Sequence, residues 1–246
     1  MQRGFSLVEL SIVLVILGLL VGTIMSGQSL IHAAELRSVT AEYSKLVAAT
    51  KSFRDRYFAL PGDMPNATLV WGAVAAPGSC RNTVSTDAKT CDGDGDGRIA
   101  PSAASWEQNR FFQHLANGGL IEGSYGGVGT VKSDYMQSRL SSDAVWSEEN
   151  SVNYAPNSSL FKFGGEYGNV LQLAGWSTGA VLSPTDAWSL DTKMDDGLPG
   201  TGSVVSQKGI VSRPCTSAQG TVLDAGAVYN YSLDGAFCIL YFRKAL

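Results

Sequence analysis

The stretch MQRGFSLVELSIVLVILGLLVGTIM, residues 1–25, decides how the rest of the chain is read. From Phe5 to Met25 almost every side chain is apolar, enough residues for one helix to cross the hydrocarbon core of a bilayer. Inside that run, in GFSLVEL at residues 4–10, stands a single carboxylate, Glu9. An acidic residue in a membrane helix costs roughly 2.5–3.5 kcal/mol on insertion scales, so its presence asks for a partner. A secretory signal peptide would have a shorter apolar core closed by a small-residue cleavage site. Here the basic leader is only Met1-Gln2-Arg3-Gly4, and IMSGQSLIHAAELRS, residues 24–38, continues as helix-compatible sequence. Arg3 places the N-terminal side in the cytoplasm by the positive-inside rule, and everything beyond about residue 26 then lies outside.

The helical pattern continues through AELRSVTAEYSKLVAATKSFRDRYFAL, residues 34–60. Leu36, Val39, Tyr43, Leu46, Thr50, Phe53 and Tyr57 follow a three-four spacing that forms one stripe. No proline interrupts until Pro61, where LPGD stops the helix. A helix over residues 5–58 would be about 80 Å long at ~1.5 Å per residue. Its outer half would pack the stripe on a sheet; a free-standing coiled coil fits less well, because Thr50 interrupts an apolar seam.

Beyond the stem, Pro61 to about Ser158 reads as a glycine-rich, irregular segment with one short helix in SWEQNRFFQHLANGGLI, residues 105–121. Strand-like runs follow: SLFKFG from 159, GNVLQLAGW from 168, SVVSQKGIVS from 203, GAVYNYS from 226 and AFCILYFRKAL from 236. Between them, SPTDAWSLDTKMDDGLPG predicts a helix capped by Ser183 with Pro184 in its first turn. The fold class expected is α+β, a long N-terminal helix packed on an antiparallel sheet of about four strands.

Four cysteines fall into two local pairs, Cys80 with Cys91 and Cys215 with Cys238, which read as two disulfides in an oxidising compartment. Without any CxxC, and with only two histidines, zinc ligation has no support. A net charge of −4 and a pI near 5.2 argue against nucleic acid as a partner. No GxSxG, HExxH or phosphate-binding glycine loop is present, and His114 reads as a packing residue rather than a general base.

In CDGDGDGRIA, residues 91–100, Asp92, Asp94 and Asp96 alternate with glycine as in the opening of an EF-hand loop, which predicts bound Ca²⁺. Arg98 would offer its backbone carbonyl. The closing acid is missing, since Ala103 stands there, and Glu107 is the nearest replacement. A second acidic group, Asp191, Asp195 and Asp196, reads as helix capping or solvated surface.

A short basic leader ending in Gly4, then Phe5, then an apolar helix with Glu9 as its fifth residue, resembles the signal of type IV pilins and pseudopilins. The resemblance implies cleavage between Gly4 and Phe5 by prepilin peptidase and N-methylation of Phe5. It divides the chain into a leader (1–4), a membrane and stem helix (5–58) and a periplasmic or extracellular head (59–246) holding the calcium loop (91–107) and the sheet. The implied function is that of a structural filament subunit, extracted from the bacterial inner membrane by an assembly platform and packed against copies of itself or related pilins. Glu9 would then neutralise the new amine of a neighbour. The resemblance also supports the calcium, which pseudopilins often hold in such a loop. Two alternatives stay open, a ligand-binding tip adhesin or minor pilin and a membrane-tethered hydrolase. The proline common near the outer end of the apolar segment in major subunits is absent here.

Overall fold

The computed structural model describes residues 6–74, 83–85, 87–100, 106–151, 163, 167–177, 179–207, 214–218, 226–243, 245 and 246. The stem is a single helix, α1 (Leu7–Tyr57), of 51 residues. It starts at Ser6 and ends at Phe58, which turns left-handed with φ 54° and is followed by the expected Pro61 turn. The large apolar side chains from Leu7 to Ile31 are exposed. The outer half buries Leu36, Val39, Leu46, Ala49, Thr50 and Phe53, close to the stripe read from spacing, with Tyr43 and Tyr57 packed at its edge.

That stripe lies in one core with Trp146, Leu171, Leu173 and Phe242 of the sheet, so the stem packs on the head and is no free-standing coil. Tyr43 stacks on Phe242 with centroids 4.8 Å apart. One polar contact fixes the register: Glu42 accepts the Trp146 indole N–H at 2.8 Å and the Arg139 backbone N–H at 2.9 Å. Closer to the membrane end, His32 Nε2 lies 2.8 Å from Asp186 Oδ1, joining α1 to the helix α4 (Pro184–Met194).

The sheet has five strands among the described residues, all antiparallel: β1 (Met136–Gln137), β2 (Ala144–Ser151), β3 (Gly168–Gly175), β4 (Val204–Ser206) and β5 (Leu240–Phe242), ordered β1-β2-β3-β5-β4. Three strands come from the expected runs at 168, 203 and 236. The longest pairing, β2 with β3, uses AVWSEENS, which the sequence pattern assigned to irregular chain because its second half is polar. GAVYNYS is not a ladder strand: Tyr229 meets Thr216 in an isolated bridge. SLFKFG, apart from Phe163, lies outside the described residues.

Around the sheet sit α2 (Ala67–Trp71), α3 (Glu107–Asn117) and α4. Helix α4 carries the expected cap, with Ser183 Oγ accepting the Asp186 N–H at 3.1 Å. The expected bond between Cys215 and Cys238 is present, with Cα atoms 5.1 Å apart and both residues buried. Cys91 is disulfide-bonded and buried, while Cys80 lies outside the described residues.

Candidate functional site

Two regions carry the chemistry. At the start of α1 the first amides have no helical carbonyl to reach, and nearby side chains take their place. The Val8 N–H donates to Ser6 Oγ at 3.3 Å, and Glu9 Oε2 accepts the Ser6 N–H at 2.9 Å, closing a capping box. Glu9 therefore has a partner in its own chain, which modifies the expectation of a carboxylate satisfied only by a neighbour. Its place in the first turn also suits the helix dipole. Gly4 and Phe5 lie outside the described residues.

The second region is the acidic loop, and the structure sorts its carboxylates into two sets. Asp94 and Asp96 converge with Asp63, the aspartate of the LPGD stop, each offering an oxygen within 4.8 Å of the others. Asp92 points elsewhere: its carboxylate accepts the Thr68 N–H at 2.7 Å and the Thr68 hydroxyl at 2.8 Å, at the start of α2. Arg98 is exposed, and its N–H donates to Asp96 Oδ1 at 2.8 Å. Glu107 is buried and accepts the Asp94 N–H at 2.9 Å and the Ala100 N–H at 3.0 Å, holding both ends of the loop.

Asp63 is the centre of this arrangement. It is only 2% exposed, and its oxygens accept the Gly95 N–H at 2.7 Å and the Gly97 N–H at 2.9 Å. Burial pushes its carboxyl up from the usual range against the pull of those two amides, with the charges of Asp94 and Asp96 adding to the rise. Glu107 is raised in the same way, by burial first and by Asp94 and Asp63 after it. The backbone comes this close because two positions lack a side chain. A Cβ on Gly93 would stand 2.4 Å from Asp63 Cα, and one on Gly62, at φ 89°, would stand 2.4 Å from the Glu107 carbonyl oxygen.

His114 locks the turn from beneath. The Gly62 N–H donates to Nδ1 at 2.9 Å, so the proton sits on Nε2, which faces Thr90 Oγ1 at 2.9 Å. Its pKa is lowered to about 3, by burial first and then by the nearby Arg110 charge. A folded pKa below the unfolded one stabilises at pH above about 6.5, and the contribution is lost as pH falls from there toward 3. Each pH unit of that descent removes about 1.4 kcal/mol. His114→Gln keeps an acceptor and a donor but does not titrate, so its melting temperature is expected to fall less steeply than the wild type's between pH 6.5 and 4. Parallel acid limbs would contradict this role.

The second acidic group caps backbone N–H groups, one of its two expected readings, but it is not all solvated surface. Asp191 is fully buried rather than solvated, accepting the Tyr229 hydroxyl at 2.8 Å and the Gly197 N–H at 3.2 Å, and burial raises its pKa to about 7. Asp195 accepts the N–H groups of Ser203 and Val204, and Asp196 accepts the Leu198 N–H and the Thr201 hydroxyl. These carboxylates fold the loop after α4.

A family model described as the prokaryotic N-terminal methylation motif matches residues 1–25. The chain carries the type IV pilin and pseudopilin signal. Neither the comparison with curated proteins nor that with solved structures finds a match to the chain. The signal covers the leader and the exposed half of the stem, while α1 packed on an antiparallel sheet gives the whole a pilin-like α+β arrangement. The exposed apolar half-helix fits membrane anchoring and then assembly with other pilins. Asp63 is the residue that sequence reading missed. Its burial between Leu60 and Met64, which obliges the carboxylate to find partners, appears only in the structure.

Proposed function

We propose that this chain is a structural subunit of a type IV filament system, cleaved after Gly4 by prepilin peptidase, N-methylated at Phe5 and assembled through α1. The observation that carries the reading is the methylation motif at residues 1–25 leading directly into a helix whose apolar side chains from Leu7 to Ile31 have no cover in the single chain. The bilayer covers them first, and neighbouring stems in the filament core cover them after extraction by the inner-membrane platform. Glu9 keeps one oxygen on the Ser6 N–H and offers the other to the amine of an adjacent subunit. A pairing that satisfies two buried charges together fixes the axial stagger of the stack.

Calcium is proposed for the loop. Three carboxylates brought within 4.8 Å, with Asp63 pushed toward its neutral form, are what a hard divalent cation would offset, and the donor set is all oxygen. Asp63, Asp94 and Asp96 would hold the ion, stiffening the junction between stem and head, while Glu107 positions the loop that bears them.

A second reading, a ligand-binding minor subunit at a filament tip, draws on one feature. A cleft of about 770 Å³ opens beside this loop, lined by Lys51, Arg54, Phe58 and Asn169 among others. The test of assembly is the shear fraction of cells producing this chain. The chain is expected in sheared filaments, and expected to vanish from them when prepilin peptidase is deleted. Equal recovery without the peptidase would contradict the proposal.

A further inference from the structure

His32 stands between the exposed half of α1 and the half that packs on the sheet. The large apolar side chains before it, from Leu7 to Ile31, are exposed, and the first buried residue after it is Leu36. Among the described residues, His32 is the first side chain along α1 to bond to the head. From Leu36 onward the stem is held by core packing. Before Leu36, the polar tie from His32 to α4 holds it.

The receiving side of that tie is fixed in advance. Asp186 lies in the first turn of α4, where Ser183 Oγ donates to Asp186 Oδ2 at 2.7 Å and accepts the Asp186 N–H at 3.1 Å. With one oxygen held, the other, Oδ1, stands 2.8 Å from His32 Nε2. Helix α4 is itself anchored in the core by Ala187 and Leu190. On the opposite edge of the imidazole, Nδ1 lies 3.6 Å from Glu35 Oε2, on the next turn of α1. The ring therefore sits between two carboxylates, one from the head and one from the stem.

This arrangement suits one protonation state. A neutral imidazole has a single N–H, so whichever carboxylate it serves, the other faces a nitrogen lone pair. The imidazolium donates to both. The hydrogen bond to Asp186 raises the His32 pKa above 6.5, against burial, which lowers it, and the charge of Asp186 and then Glu35 add to the rise. The side chain is half-exposed, so it exchanges its proton with water. A folded pKa above the unfolded one stabilises fully at pH below about 6.5, and that contribution is lost as pH rises through the raised value.

We propose that His32 is a proton-operated latch between stem and head. Charged, it clips α1 to α4 through Asp186 while Glu35 orients the ring. Neutral, it keeps at most an ordinary hydrogen bond, roughly half as strong, and lets the stem before Leu36 pivot against the head. The titratable groups facing it are Asp186 from α4 and Glu35 from its own helix, both acidic. The positive end of the α4 dipole lies behind Asp186, so a cation is stable there only with that carboxylate in place. The latch needs neither cleavage at Gly4 nor filament assembly, and it stands apart from the function proposed above.

The test uses the full chain in detergent micelles, with its two histidines isotopically labelled for NMR. His114, at about 3, stays neutral in the range scanned. His32 is expected to titrate above 6.5, and Asp186→Asn to bring it to that value or below. A second sample carries spin labels on Ser11→Cys and Thr192→Cys, exposed positions in the free half of α1 and on α4. The distribution of distances between them is expected to be narrow at about pH 5 and broad at about pH 8. In His32→Gln it should be broad at both. A His32 pKa indifferent to Asp186→Asn, or a distribution whose width does not follow the His32 titration, would overturn the latch.

Discussion

Glu9→Val is expected to leave the chain in the membrane and remove it from filaments. Insertion should be undiminished, because an apolar residue replaces a carboxylate in the first turn of the apolar helix, where its cost is below the roughly 3 kcal/mol of the helix centre. Assembly should fail, because the substitution leaves the α-amine of the adjoining subunit desolvated and unpaired. Breaking a buried pair from one side costs about 3–5 kcal/mol, which is a hundredfold or more in each contact. The capping box complicates a simple charge argument, since Glu9 also holds the Ser6 N–H at 2.9 Å. Glu9→Gln separates the two roles. Glutamine is a competent residue at the third helical position of a capping box, so the helix should start normally while the charge is gone. Loss of filaments in both variants, with both still in the inner membrane, is the expected pattern. Filaments from Glu9→Gln at wild-type level would show that the carboxylate acts only as a cap.

The second large effect is at Asp63. If the proposed ion binds, calcium at one hundred times its dissociation constant is expected to stabilise the folded head by about 2.7 kcal/mol, enough to raise the melting temperature by roughly 5–10 °C in a domain of this size. EDTA should reverse the rise in the wild type. Asp63→Asn should abolish the calcium-dependent difference and lower the apo melt modestly, because relief of a buried carboxylate is set against an amide NH2 that faces one of the Gly95 and Gly97 N–H groups. Asp92→Asn should behave differently. Its contacts run to Thr68, so it loses about 1 kcal/mol of capping and keeps the calcium shift. A wild-type melt indifferent to EDTA would remove the ion, and a calcium shift lost in Asp92→Asn but kept in Asp63→Asn would assign it to the wrong carboxylates.

The contrast between these two aspartates shows where sequence reading reached and where it stopped. Regular spacing made the stem legible: Leu36, Val39, Leu46 and Phe53 are buried as their three-four spacing predicts. The helix at Ser183-Pro184 was legible because capping is a local rule. Alternating Asp and Gly marked the acidic loop but not its membership, because convergence depends on a contact 31 residues apart along the chain between Asp63 and Asp94. Strand β2 was missed for a related reason. Its polar half, Ser147 to Ser151, gains its strand character from pairing with β3, which local composition does not encode. Asp191 reads in sequence as a cap or solvated surface, and its burial beside Tyr229, far along the chain, which brings it a hydroxyl, was not legible there.

All of the proposed assembly chemistry depends on an amine at Phe5 that would exist only after removal of the leader. Intact-mass and N-terminal peptide mass spectrometry of the protein from its native membrane tests this most directly. The account predicts a chain that begins at Phe5 and carries one added methyl group on that residue. A chain still beginning with Met1-Gln2-Arg3-Gly4 would contradict it, because Glu9 would then have no neighbouring amine to meet.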